Sequence, residues 1–174
     1  MIDHILLTLA GPDKPGLVRT VADRVSELGG SWHRSRLSHL GGCFAGVVEV
    51  QLPAERRDAL ATALDALRQS GLSISLHAAE ATTTDGTDTA TVRAHIAVVA
   101  NDRPGIIAAI SQALALHGVN VEELQSDVDD APMASGPLFR AEIDVSCDHR
   151  SQLEQARAEI ESLAYDLMID LSEA

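Results

Sequence analysis

Aromatic side chains are scarce in this 174-residue chain, with one Trp, one Tyr and two Phe making 2% of the total. A sheet that stacks nucleotide bases needs rings on its central strands with basic residues beside them. Trp32, Phe44, Phe139 and Tyr165 offer too few rings and no basic face. Positive charge is scarce as well: 13 Lys and Arg stand against 26 Asp and Glu, a formal net charge of −13. Such a chain repels phosphate backbones, so direct nucleic-acid binding is disfavoured and any role in gene control has to run through a protein partner. No apolar run approaches the length of a membrane span, and the N-terminal Met1 to Leu7 lacks the basic start of a secretory signal, so no membrane association and a cytoplasmic location are expected. Cysteine is limited to Cys43 and Cys147, which read as reduced, strand-borne small hydrophobes rather than a disulfide.

What remains is the composition of a globular protein, 45% hydrophobic and 22% charged. The charge is unevenly placed. Residues 1–77 carry eight basic and eight acidic side chains, whereas residues 78–174 carry five against eighteen and so hold the whole excess.

The chain repeats itself. Pro12-Asp13-Lys14-Pro15-Gly16 and Asn101-Asp102-Arg103-Pro104-Gly105 stand 89 positions apart, each after an apolar alternating run and before a helical stripe. In each, Asp is expected as N-cap, Pro in the first turn and Gly where backbone must be approached closely, leaving helix amides that favour a small anion such as an amino-acid carboxylate. The first copy reads as a strand over 5–10, a helix striped by Leu17, Val18, Val21, Val25 and Leu28, and strands over 31–40 and 43–52 joined at Gly41-Gly42. A helix striped by Leu60, Leu64 and Leu67 and a strand over 72–77 complete it. Residues 78–91 are small and polar and read as a linker. The order then recurs: a strand over 92–100, a stripe of Ile106, Ile107, Ile110 and Leu114, and strands from Asn120 and around Phe139. A last stripe of Leu153, Ala156, Ile160 and Leu163 and a closing strand through Leu167, Ile169 and Leu171 follow. Repeat two carries six extra residues between its second and third strands, within 129–137. Two strand-helix-strand-strand-helix-strand units describe an α+β protein of paired ferredoxin-like βαββαβ domains, 1–77 and 92–174, with antiparallel sheets and helices on one face.

Catalytic chemistry finds no foothold. His4, His33, His39, His77, His95, His117 and His149 show no metal-ligand spacing, no nucleophile sits in an elbow context, and Gly11 to Gly16 lacks the Gly-Lys-Ser/Thr ending of a phosphate loop. No enzyme, catalytic residue, metal or cofactor is expected.

The doubled Asp-x-Pro-Gly turn, with Ser35-Arg36-Leu37, Leu40-Gly41-Gly42, Phe44 and the Ala-Pro-Met…Gly-Pro-Leu-Phe loop, resembles tandem ACT-domain proteins, and among them the glycine cleavage system transcriptional repressor group. That resemblance implies a small amino acid, glycine or serine foremost, bound where two ACT units meet, between the first turn of one and the second strand of its neighbour. It points to Asn101, Asp102, Pro104, Gly105 and Ile106, and to Asp13, Gly16 and Leu17. Repeat one has Pro12 where repeat two has Asn101, so the first turn is the poorer site. The chemistry fits, since Asn101 and Asp102 can accept from an ammonium and the amides after Gly105 can donate to a carboxylate.

The second strands are expected at sheet edges, where His33, Arg34 and Arg36 of repeat one contrast with Glu122, Glu123 and Asp127 of repeat two. Opposite charge would favour pairing of unlike repeats and would place Arg36 and Glu122 beside the amino-acid site. The insertion at 129–137 is expected to project toward a regulatory protein partner, and a homodimer is expected. Two readings stay open: a ligand-responsive regulator, and a ligand-free interaction module whose turns serve structure alone.

Overall fold

The computed structural model of the chain describes residues 1–79, 91–129, 136–163 and 168–173. Most of the expected linker, residues 130–135 of the expected partner loop, Tyr165 and Leu167 lie outside them. The chain forms two compact units, Met1–Thr83 and Thr84–Ala174.

In the first, β1 (Ile2–Pro12) leads to α1 (Leu17–Glu27), β2 (Ser31–Leu40) and β3 (Cys43–Pro53). Then come α2 (Arg57–Asp65), set between 3-10 turns at Ala54–Arg56 and Ala66–Ser70, and β4 (Ser73–Ala78). The second repeats this as β5 (Val92–Asn101), α3 (Ile106–Leu116), β6 (Asn120–Asp129), β7 (Leu138–Cys147), α4 (Arg150–Leu163) and β8 (Met168–Glu173). The sheets are antiparallel with orders β2-β3-β1-β4 and β6-β7-β5-β8, the βαββαβ ferredoxin-like topology. The second strand of each unit therefore lies at an edge.

Period-two alternation decides what each strand buries. Ile5, Leu7 and Leu9 of β1 and Val48, Val50 and Leu52 of β3 pack with Val21 and Val25 of α1 and with Leu60 and Leu64 of α2. Ile96 and Val98 of β5 and Phe139, Ala141, Ile143 and Val145 of β7 meet Ile110, Leu114, Leu153 and Ile160 in the same way. The helices cover one face of each sheet, and the intervening strand residues form an uncovered face. Cys147 is buried as expected of a small hydrophobe, but Cys43 is exposed, because it borders the Gly41-Gly42 hairpin tip rather than the core.

Both edge strands carry a bulge at one shared place. The register shifts between Trp32 and Arg34 in β2 and between Val121 and Glu123 in β6, positions related by the same offset of 89. An extra residue reverses the alternation beyond it. Trp32, opposite buried Val50, thus faces the core, while Arg34 and Arg36, opposite Glu49 and Val47, lie on the uncovered face.

β2 and β3 also approach each other closely at Gly46, paired with Leu37, where a Cβ would overlap the carbonyl oxygen of Arg36. Around Gly16 a Cβ would meet nothing within 4 Å, so only its φ of 90° resists a side chain. Gly46→Ala should therefore lower stability by about 3 kcal/mol, the upper end of overpacking costs, and Gly16→Ala by about 1 kcal/mol, the left-handed backbone penalty alone. Thermal melts of the two variants check the order, and equal shifts would contradict it.

Candidate functional site

The two strand-to-helix turns are built alike. In the first, Pro15 fixes one backbone angle, Gly16 takes φ 90° and ψ 1°, and the Leu17 N-H donates to the Lys14 carbonyl oxygen at 3.4 Å. Pro followed by a positive-φ Gly is the signature of a type II turn. Gly105, at φ 91° and ψ 3°, repeats it. The Gly16 and Gly105 carbonyls accept the first helical bonds, from Thr20 N-H at 2.9 Å and Ala109 N-H at 3.0 Å.

Glycine, not aspartate, is thus the N-cap of α1 and of α3, and neither helix has a side-chain cap bond. This corrects the expectation of Asp13 and Asp102 as caps. The turn needs positive φ at the residue entering the helix, which only Gly takes without strain, so Asp is pushed three residues upstream. Its backbone has another task. The Asp13 N-H donates to the Gly42 carbonyl at 3.0 Å and the Asp102 N-H to the Pro137 carbonyl at 2.9 Å, tying each turn to the end of its own β2–β3 or β6–β7 connection. In the first unit the Lys14 ammonium also reaches the Ser70 carbonyl at 3.3 Å, and His39 Nε2 lies 3.9 Å from the Asp13 carboxylate.

The first three amides of an α-helix have no partner within it. At α3 these belong to Ile106, Ile107 and Ala108, and among the described residues nothing beyond the glycine's own chain neighbours lies within 4 Å of where a Gly105 Cβ would stand. Asn101, Asp102, Pro104 and Gly105 are all exposed, while Ile106 is only 4% exposed and its side chain belongs to the core. Leu17 likewise packs against the first core. Neither side chain is available to a ligand, and the Leu17 N-H already donates to the Lys14 carbonyl oxygen.

Arg36 and Glu122 are not brought to their own units' turns. β2 meets the turn region at Leu40, opposite Cys43, and Arg36 lies four residues back, about 13 Å along the strand. Glu122 lies seven residues before Asp129, about 23 Å away on the same measure. The carboxylate of Glu122 also accepts hydrogen bonds from Ser146 Oγ and from Asn120 Nδ2.

Two family models, each described as ACT domain, match residues 3–77 and 94–165. The chain is a tandem ACT-domain protein. Its fold is similar, at a TM-score of 0.85 and 28% identity, to a solved structure of an unknown protein from Galdieria sulphuraria, covering 100% of this chain and 99% of that one. It is also similar to a solved structure whose suggested identity is a glycine cleavage system transcriptional repressor, at a TM-score of 0.72, 18% identity and coverage of 100% and 98%. No curated protein matches it in sequence. No described helix is long and apolar enough to cross a membrane. Among the described residues, no group of three or more His, Cys, Asp and Glu is placed to hold a metal.

One constellation escaped the sequence reading. On the uncovered face of the second ACT sheet, His95 Nδ1 lies 2.8 Å from Asp144 and its Nε2 lies 2.6 Å from Glu142. Alternation along β5 and β7 puts all three on one face, but only the register, with His95 opposite Asp144, brings them together. The hydrogen bond to Asp144, then that to Glu142, raises the His95 pKa above the ordinary value. On the first ACT sheet, hydrogen bonds from Arg34 to Glu49, at 2.8 and 2.7 Å, hold that carboxyl below the usual range.

A raised folded-state pKa means that His95 contributes stability below its unfolded value, near pH 6.5, and that the contribution is lost as pH rises through the folded value. Melting temperatures of the wild type and His95→Gln should therefore differ most below about pH 6.5 and converge as pH rises through the raised folded-state value. In a proton NMR titration, Asp144→Asn should lower the His95 pKa more than Glu142→Gln does. A titration midpoint at or below the ordinary histidine value would contradict the clamp.

Proposed function

We propose that this tandem ACT-domain protein is a non-enzymatic regulator that binds a small amino acid at the turn of its second repeat and passes the bound state to a protein partner. The observation that carries this reading is the start of α3: a helix opened by Gly105 with no side-chain cap bond, with Asn101 and Asp102 at the head of the turn that leads into it. The amides of Ile106 to Ala108 and the helix dipole favour a carboxylate, and the side chains of Asn101 and Asp102 supply acceptors for the ammonium. Because Asp102 does not cap its helix, its carboxylate is not consumed by that role.

The turn is exposed, so a ligand bound there needs a second surface to exclude water. This supports binding where ACT units meet. In the first turn the Leu17 N-H donates to the Lys14 carbonyl oxygen, Pro12 stands in place of Asn101, and the Asp13 carboxylate lies near His39. Glycine and serine lead as ligands on the resemblance to glycine cleavage system repressors, which also suggests a part in transcriptional control of glycine metabolism through a partner rather than through DNA.

Titration calorimetry of the full chain with a panel of amino acids tests the proposal. Asp102→Ala should weaken binding by about 1.5 to 3 kcal/mol, the worth of a hydrogen bond to a charged group, which is roughly ten- to a hundredfold in affinity. Asp13→Ala should change it far less. No heat with any amino acid, or equal losses at the two positions, would overturn the reading.

A further inference from the structure

Four strands lie at sheet edges, β2 and β4 in the first unit and β6 and β8 in the second. Three carry features that keep an edge from pairing with another chain. β2 and β6 have their bulges, with Arg34 and Arg36 on one and Glu122, Glu123 and Asp127 on the other, and β8 has Asp170. β4, Ser73-Ile74-Ser75-Leu76-His77-Ala78, contains no Asp, Glu, Lys, Arg or Pro, and its register with β1 runs without a shift.

One bond fixes which backbone groups of β4 face outward. The Ala79 N-H donates to the His4 carbonyl at 3.1 Å, so Ala79 and His4 form a hydrogen-bonded pair. Alternation then turns the N-H and C=O of His77, Ser75 and Ser73 toward β1, and those of Ala78, Leu76 and Ile74 toward the open edge. The side chains of these last three lie on the helix-covered face, where Ile74 is buried, Leu76 half-buried and Ala78 exposed. Beside them a shallow depression of about 560 Å³ separates β4 from α2, lined by Ala61, Thr62, Ile74 and Leu76. Asp65 and Arg68 at its rim pair with each other, which leaves the depression without net charge.

We propose that β4 pairs with β4 of a second copy of this chain, antiparallel about a two-fold axis at Leu76, so that the first sheets of two copies join edge to edge. In this register Leu76 stands opposite its own counterpart and Ile74 opposite the partner's Ala78, each pair exchanging two hydrogen bonds. The contact is isologous and is made once, by first units alone. The two Leu76 side chains meet on the covered face, where each loses the exposure it keeps in a single copy. On the other face Ser75 falls opposite the partner's His77, hydroxyl against imidazole. Charge favours this edge: each copy carries −13, yet residues 1–77 hold eight basic and eight acidic side chains, so neutral units meet. The same pairing of β8 would bring two Asp170 carboxylates to one seam. The front is about 20 Å long and, with the helix layer, some 15 Å deep, roughly 300 Å² per partner. That is below the ~800 Å² of a standard interface, so the dimer is a weak one. The inference does not rest on amino-acid binding, which calorimetry reads separately.

Amide exchange of the full chain, read residue by residue by NMR, tests it without a variant. The Ile74, Leu76 and Ala78 amides should exchange several-fold more slowly at about 1 mM protein than at about 30 µM, the range in which a weak contact fills. Ser75 and His77, bonded to β1, should be equally protected at both. Sedimentation velocity should show a monomer at the low concentration and a dimer growing in toward the high one. Leu76→Lys, which sets like charges together on the axis, should weaken that dimer at least about tenfold. Ala78→Pro, which removes an outward N-H and no bond to β1, should do the same. Circular dichroism melts establish that each variant is folded. Protection of the three outward amides in a monomer overturns the proposal, since the edge would then be covered within one chain. A monomer at every concentration, or a dimer indifferent to both substitutions, overturns it as well.

Discussion

A βαββαβ unit has two helices and a four-stranded sheet, and its helices reach only one face of that sheet. The remaining features of this protein depend on that constraint. Strand residues of one parity become core: Ile5, Leu7 and Leu9 in the first ACT domain, Ile96 and Val98 in the second. Those of the other parity meet water, where burial no longer dictates their chemistry. The covered faces of the two repeats are accordingly alike in character, and the uncovered faces have diverged. Leu6 and His95 occupy one position of the grid and share nothing but their backbone.

The turns show the opposite tendency, because their geometry restricts chemistry. A chain leaving β1 or β5 must reverse and enter a helix within a few residues, and a Pro-Gly type II turn does so with Gly at positive φ. The Asp before it is fixed through its amide, bonded to Gly42 in one repeat and Pro137 in the other. Backbone bonding thus holds the turn and leaves the side chain for other work. The six-residue insertion does not disturb this device. Register along β6 and β7 runs through to Asp129 opposite Leu138, as β2 and β3 run through to Leu40 opposite Cys43, so the carbonyl that accepts from Asp102 arrives where its counterpart does. Shape is shared by the two turns, whereas charge differs between the two uncovered faces.

Element order, helix stripes, the Gly41-Gly42 hairpin and both helix-opening turns were legible in the sequence, because each rests on local periodicity or on the backbone limits of Gly and Pro. Asp13 and Asp102 were located correctly and misassigned as caps. The Pro-Gly pair already signalled a type II turn, and that turn puts Gly, not Asp, at the cap. The bulges at His33 and Glu122 left no such mark, since a strand with one extra residue reads as alternation with a single lapse. Without them Arg34 and Arg36 would be assigned to the same face as Trp32.

By itself, the sequence determined that this chain is two copies of one α+β module and that each copy opens its first helix at a glycine turn. Those properties are carried by residues close together along the chain. Tertiary structure alone decided that His95 sits between Asp144 and Glu142 and that Arg34 grips Glu49. Each of these depends on strand register or on packing between segments tens of residues apart, and a one-residue change of register would exchange the buried and open faces of a strand without altering any local pattern.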